Sequence, residues 1–317
     1  MAGVKRESTI SGVGIGQNHE ALGRRAAMRP AALDTSDERM LPSGRPVSSQ
    51  QVPLLEILGA GAAYMKLKVL GCYGGNIPGH GMTSLLINDT LALDAGWVSE
   101  ALSLKEQEKV KNVLISHSHL DHTCTLPFLI DNNFSAPGFS LKIYAIPEVV
   151  ASMRAHLFNN HTWPDFTCLP NDLTPVLKLI EIAPEHPFTI NGLTIRAVKV
   201  SHIVPTAGYI VEDKNGGIAF SSDTGPTQRF WELVNGVKNL KAVITETSFP
   251  NELQDLAHVS GHLTPATLDR ELDKLKKDVP IYLYGGKPKH LKTIKQQLRA
   301  LKRKKLHMLV QGKTYKF

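Results

Sequence analysis

The sequence predicts an α+β domain in which two packed sheets are flanked by helices. Two observations predict it. From Met65 the chain reads as short alternating runs separated by Gly or Asp turns, the period of half-buried strands. In the second half, strand-like runs alternate with amphipathic helical ones, and no internal repeat is visible. With 317 residues and 42% hydrophobic content, the chain can bury a sizeable core.

Residues 1–64 mix charge, Gly, Ser and Pro without helical or strand period and hold no aromatic residue before Tyr64. Such a stretch buries too little apolar surface to offset its ordering entropy. It is expected to be a disordered extension ahead of a domain spanning 65–317. The abrupt break raises the hypothesis of a translation start at Met65, which an N-terminal peptide of the native protein mapping upstream of Met65 would refute.

Within the domain, KLKVLG (66–71), TSLLIN (83–88), TLALDAG (90–96) and VKNVLIS (110–116) predict strands. A helix is predicted over PEVVASMRAHLF (147–158), because Val149, Val150, Met153 and Leu157 fall on one face. Strands return in FTINGLTIRAVKVSH (188–202), GYIVED (208–213) and GGIAFSSD (216–223), with DKNGG (213–217) as the hairpin turn. After the strand LKAVITETS (240–248), TPATLDRELDKL (264–275) reads as a helix capped by Thr264 with Pro265 at its first position. The end of the chain repeats the pattern with strand PIYLY (280–284), helix HLKTIKQQLRAL (290–301) and strand LHMLVQ (306–311).

Composition narrows the class. Cys72, Cys124 and Cys168 are odd in number and far apart, so neither a disulfide framework nor a thiolate zinc site is expected, and a reducing, cytoplasmic setting is the default. No run approaches the roughly 18 apolar residues of a membrane span. VPLLEILGAGAAYM (52–65) is broken by Glu56 and lacks a basic flank, so no signal peptide is expected. The formal charge of +7 is uneven: from Arg270 onward fifteen Lys/Arg face three Asp/Glu, a net of +12, which leaves −5 on residues 1–269. LKRKKLH (301–307) is therefore either a solvated helix end or a contact for phosphates of nucleic acid or membrane.

The segment ISHSHLDHT (115–123) holds four potential metal ligands in six positions. His117 and His119 are two apart, so both rings face one side of an extended segment. Asp121 and His122 follow where the chain must turn into a helix, which aims them at a neighbouring position. A single histidine on an apolar strand is most simply a core residue; imidazoles and a carboxylate crowded together are the ligands zinc and similar ions prefer. Further ligands are expected in loops beyond strand ends, where His202 closes VKVSHIV and Asp223 closes IAFSSDTGP.

The order HxHxDH, strand-end His, strand-end Asp resembles the metallo-β-lactamase superfamily. HSHLDH, HLFNNHTWPDF (156–166), SHIVPTAGY, SSDTGP, ETSFPNE and GHLTP together resemble its class II cyclic-nucleotide phosphodiesterases of bacterial type, over about Met65–Phe317. After His122, TCTLPFLI departs from the fungal members. The resemblance implies a four-layered αββα sandwich with a divalent metal site, zinc being the ion expected, at one edge of the sheets. It implies His117, His119 and His202 on one metal, Asp121 and His122 on a second, and Asp223 between them. Two ions about 3.5–4 Å apart suit phosphoryl chemistry. It also implies His262, in GHLTP, as the group assisting the departing oxygen, Glu246 as its orienting partner, and Asp121 within the catalytic set; an N-cap-region histidine and a surface glutamate are the plainer alternatives.

One position breaks the pattern. In this family a last strand ends in a ligand histidine followed by Lys-Pro, whereas IYLYGGKPKH (281–290) has Gly285 there, with Lys287 and Pro288 kept. Weak binding at the second metal position is the expectation. The implied reaction is hydrolysis of cyclic AMP or cyclic GMP to the 5′-monophosphate, with Asn159, Asn160, Trp163 and Lys287 as candidate substrate contacts. The alternatives are a ribonuclease Z-like phosphodiesterase, which the basic end favours and the lack of a substrate-clamping arm disfavours, and a non-catalytic homologue, which Gly285 favours.

Overall fold

In the computed structural model, residues 64–317 are described, so the extension predicted over 1–64 lies, Tyr64 apart, outside the described residues. The first half builds β1 (Lys66–Gly71), β2 (Ser84–Ile87), β3 (Leu91–Leu93), β4 (Asn112–Leu114), β5 (Leu141–Ala145) and β6 (Leu177–Glu181). The second half builds β7 (Phe188–Ile190), β8 (Leu193–Lys199), β9 (Ala207–Asp213), β10 (Gly216–Phe220), β11 (Leu240–Glu246), β12 (Ile281–Tyr284) and β13 (Leu306–Met308). β14 (Thr314–Lys316) then returns to pair with β1, giving two seven-stranded sheets in the orders β14-β1-β2-β3-β4-β5-β6 and β13-β12-β11-β10-β9-β8-β7.

Both sheets are antiparallel in one part and parallel in the other. Strands β1 to β3 and β7 to β10 turn back on their neighbours, whereas β3 to β6 and β10 to β13 run parallel. Parallel pairs need crossover connections, and helices occupy them: Leu126–Asn133 between β4 and β5, Pro147–His156 between β5 and β6, Arg229–Gly236 between β10 and β11, Pro265–Leu272 between β11 and β12, and Leu291–Ala300 between β12 and β13.

The period-2 pattern of the second sheet produces the layers. Ile195, Ala197, Tyr209, Val211, Ile218, Phe220, Ala242 and Ile244 join the core shared with the first sheet. Their neighbours Val198, Ile210, Ala219 and Val243 face the other way, packing with Trp231, Leu268, Leu272 and Ile294 of the covering helices. Successive strand residues point to opposite faces, so an unbroken apolar run is buried on both sides. With Leu129, Ile130, Val149, Val150 and Met153 closing the first sheet, the result is a sandwich of two mixed sheets between helical layers. Each fully buried large side chain contributes about 1.5–3 kcal/mol.

The helix over Pro265–Leu272 starts at Thr264, whose hydroxyl accepts from Thr267 N–H at 3.3 Å. Strands β5, β6 and β14 and the helices Leu126–Asn133 and Arg229–Gly236 are additions to the sequence reading. No helix among the described residues is long and apolar enough to cross a membrane.

Candidate metal centre

Loops following β4, β8, β10, β11 and β12 converge at one edge of the sandwich. Beyond β4 the backbone stays extended through His119 (φ −62°, ψ 146°), then the short helix Leu120–Thr123 begins. His117 and His122 are fully buried, with ring centroids 4.2 Å apart. The loop after β8 brings His202, and the loop after β10 brings Asp223. Ligand atoms of His117, His119 and His202 lie within 4.8 Å of one another, as do those of His117, His122 and Asp223, and those of His202, Asp223 and His262.

Three of the four rings, those of His117, His122 and His202, are oriented by a bond at the far nitrogen. His122 Nδ1 donates to Asp94 Oδ2 at 2.7 Å, and His202 Nδ1 donates to the Gly261 carbonyl at 2.8 Å. Ser116 Oγ donates to Asp94 Oδ2 at 2.8 Å, which leaves it to accept from His117 Nδ1 at 3.0 Å. These bonds select the tautomer whose Nε2 lone pair points inward. His117 Nε2 and His122 Nε2 are buried and make no hydrogen bond; the second faces Asp223 Oδ2 at 3.3 Å. His119 Nδ1 stands 3.3 Å from His202 Nε2. A buried polar atom left unpaired costs about 1–3 kcal/mol, so two orphaned ring nitrogens among converging acceptors fit a bound cation.

Electrostatics point the same way. Burial, reinforced by neighbouring imidazoles, holds His117 well below the usual histidine range and depresses His119 and His202, keeping them in the neutral form that ligates metals. Burial also opposes charge on His122, but Asp223 and Asp94 on its two sides raise it well above the ordinary range. Asp223 in turn is held ionised chiefly by His122, against the cost of its own burial. The two carboxylates therefore favour positive charge on the His122 side of the pocket, while the other three rings stay neutral.

His262 lies beside this cluster, 7% exposed, with Nδ1 2.7 Å from Oε1 of the fully buried Glu246. The same oxygen accepts from Thr224 N–H at 3.2 Å and Leu263 N–H at 3.3 Å, so the carboxylate is fixed. Burial lowers the affinity of His262 for a proton, but Glu246 more than compensates and raises it. Gly261 joins the two groups: its carbonyl orients His202, its φ is 66°, and a Cβ there would lie 3.0 Å from His202 Nδ1, so a side chain would be strained and would crowd that ring.

Asp121 stands outside the three ligand groups. It is half-buried, 4.0 Å from Lys287 Nζ. Gly285, directly after β12, has φ 79° and donates its N–H to the Cys72 carbonyl at 2.9 Å; it supplies no donor atom to the cluster. Asn159 and Asn160 spend their side chains on their own loop. Asn159 Oδ1 accepts from the N–H groups of His161 and Thr162, and Asn160 Oδ1 from that of Asp165. Trp163 packs against the core and meets Phe128 edge-on at 5.2 Å. The two asparagine side chains thus hold a turn together.

Three contributors were not singled out by the sequence reading. Asp94 terminates an all-apolar strand in LALDAG with φ 57°, a left-handed conformation few non-glycine residues adopt. Tyr284 Oη lies 3.4 Å from Asp223 Oδ1. Phe249, whose ring is 5.6 Å from His262, lines with Lys287, Asn76, Ile77 and His290 a cavity of about 490 Å³.

This fold and this cluster define the class, and the chain belongs to the metallo-β-lactamase superfamily: residues 89–282 match the family described as Beta-lactamase superfamily domain. The chain is similar to the 3′,5′-cyclic-nucleotide phosphodiesterase of Aliivibrio fischeri, at 28% identity over 256 residues, covering 65% of this chain and 74% of that protein. Its fold is shared with unliganded yeast PDE1 (TM-score 0.69, 19% identity, 80% of this chain and 99% of that one). The short form of human tRNase Z (ELAC1) shares it too (TM-score 0.59, 15% identity, 79% and 98%). A divalent metal is what this superfamily's fold implies, and the donor set described above fits one.

Proposed function

We propose that the chain hydrolyses 3′,5′-cyclic nucleotides to 5′-monophosphates with a divalent metal, zinc being the ion its ligands suit. The observation that carries this reading is the convergence of pre-oriented imidazoles beside the buried His262–Glu246 pair. The Aliivibrio fischeri relative supports the substrate class. His117, His119 and His202 would hold one ion tightly. His122 and Asp223, without a donor at Gly285, would hold a second weakly. Bound divalent ions supply Lewis acidity toward a phosphoryl oxygen and toward water.

The chain's own residues do the rest. The cavity beside the centre takes the nucleoside against Phe249 and Ile77, and the Lys287 ammonium offers a counter-charge to the phosphate. Water attacks phosphorus opposite the 3′ oxygen. A P–O bond forms, the P–O3′ bond breaks, and His262 passes its Nε2 proton to O3′ while Glu246 steadies the resulting ring. The attacking water gives up its proton to Asp121 at the mouth of the site. In this reading Asn159, Asn160 and Trp163 shape a loop and do not touch substrate.

The test is turnover by the full chain with Zn²⁺ or Mn²⁺ on cyclic AMP, cyclic GMP, bis(p-nitrophenyl) phosphate and a short RNA. Release of 5′-monophosphate from a cyclic nucleotide supports the proposal. RNA cleavage alone would select the ribonuclease reading, and cyclic-nucleotide binding without turnover the non-catalytic one.

A further inference from the structure

The helix Leu291–Ala300 and the LKRKKLH segment after it play no part in the metal centre, yet they are organised. Within LKRKKLH, Arg303 pairs with Asp269 and Asp273, and Lys305 with Asp278; local carboxylates answer those charges. Lys295, Arg299 and Lys302 make no ion pair among the described residues. Spaced four and three apart, they project from one face of the helix Leu291–Ala300 and the turn after it. All three, with Lys313 from the loop before β14, line a cavity of about 810 Å³ that shares no residue with the metal centre. Its other wall is aromatic. Tyr282 of β12 meets His307 of β13 with ring centroids 5.6 Å apart and Tyr315 of β14 at 4.8 Å, and Lys313 Nζ stands 4.9 Å over the Tyr315 ring.

We infer that this cavity is a second, non-catalytic binding site for a nucleoside polyphosphate. Three cations without an ion pair among the described residues, joined by Lys313 over its tyrosine ring, face one partly open cavity; that suits a ligand with several phosphate charges, and the ring wall suits a planar base. The volume lies within the range of small-ligand pockets, about 300–1,000 Å³. Single-stranded nucleic acid is instead bound by cations spread along a groove that tracks the backbone, whereas these gather on one helix face and one loop.

Calorimetric titration of the metal-loaded full chain with ATP tests the inference. The expected result is saturable binding that weakens roughly tenfold or more in Lys295→Ala/Arg299→Ala and in His307→Ala, but not in the charge-matched control Lys276→Ala/Lys304→Ala, which lies outside the cavity. The residues replaced are exposed, so folding is preserved, and circular dichroism verifies it. Absence of saturable binding overturns the inference. So does binding equal in all variants, which would locate ATP elsewhere; inorganic tripolyphosphate binding as tightly as ATP, which would remove the ring's role; or a twelve-nucleotide RNA binding where ATP does not.

Discussion

His262 has its Nδ1 on Glu246, and that carboxylate is the strongest influence raising the ring's affinity for a proton. Because the carboxylate raises the histidine against the effect of burial, the protonated acid persists to higher pH than a free imidazole would. Glu246→Gln keeps the shape and removes the charge, so His262 should lose its proton at lower pH. The basic limb of the pH–rate profile is predicted to move to lower pH, and a limb that stays put would show that His262 is not the titrating acid. His262→Ala should lower cyclic AMP turnover by roughly 10²–10⁴. The same variant should lose much less on bis(p-nitrophenyl) phosphate, whose leaving group needs little protonation; equal losses on both substrates would argue against an acid role.

At the scale of elements, the centre is an arrangement of strand ends, and Asp94 shows how they are coupled. It caps β3, receives the N–H and hydroxyl of Ser116 just past β4 at 2.8 Å each, and orients His122. Asp94→Asn can still hydrogen-bond but no longer favours the cation, and zinc affinity is predicted to fall about 10–100-fold, measured by competition with a chelating dye; unchanged affinity would sink this role. The sequence made His117, His119, His122, His202 and Asp223 legible because ligand residues crowd one segment or end alternating strands. Asp94 was hidden because its partner lies 28 positions away, and before Ala-Gly it looks like a turn residue. Phe249 and Ile77 carry no local signal at all; only packing places them by Lys287. Likewise β14 is three residues long, too short to show a period, and its pairing with β1 depends on the whole chain having folded back.

For the whole molecule, the two sheets meet at an edge where one half supplies HSHLDH and the other supplies His202, Asp223, Glu246 and His262. The alternating residues of β8 to β11 read correctly as strands, and the same alternation that fills the inner core and the helix-covered face aligns their loop ends. Gly285 acts at this scale, since the resemblance implies a ligand at the end of β12 and glycine there offers no side-chain donor. Its φ of 79° lies where a side chain is strained, so the turn is built for glycine. The zinc-loaded chain dialysed against a mild chelator is predicted to retain one ion per chain by elemental analysis; two retained ions would show that the second position is complete without a ligand at 285.

Whether this cluster opens a cyclic phosphodiester can be read from ³¹P NMR of cyclic AMP incubated with the metal-loaded chain. A resonance of 5′-AMP should grow with time and be absent with His117→Ala. An unchanged cyclic AMP signal from protein shown to carry its metal, or a 3′-monophosphate product, would contradict this hydrolysis.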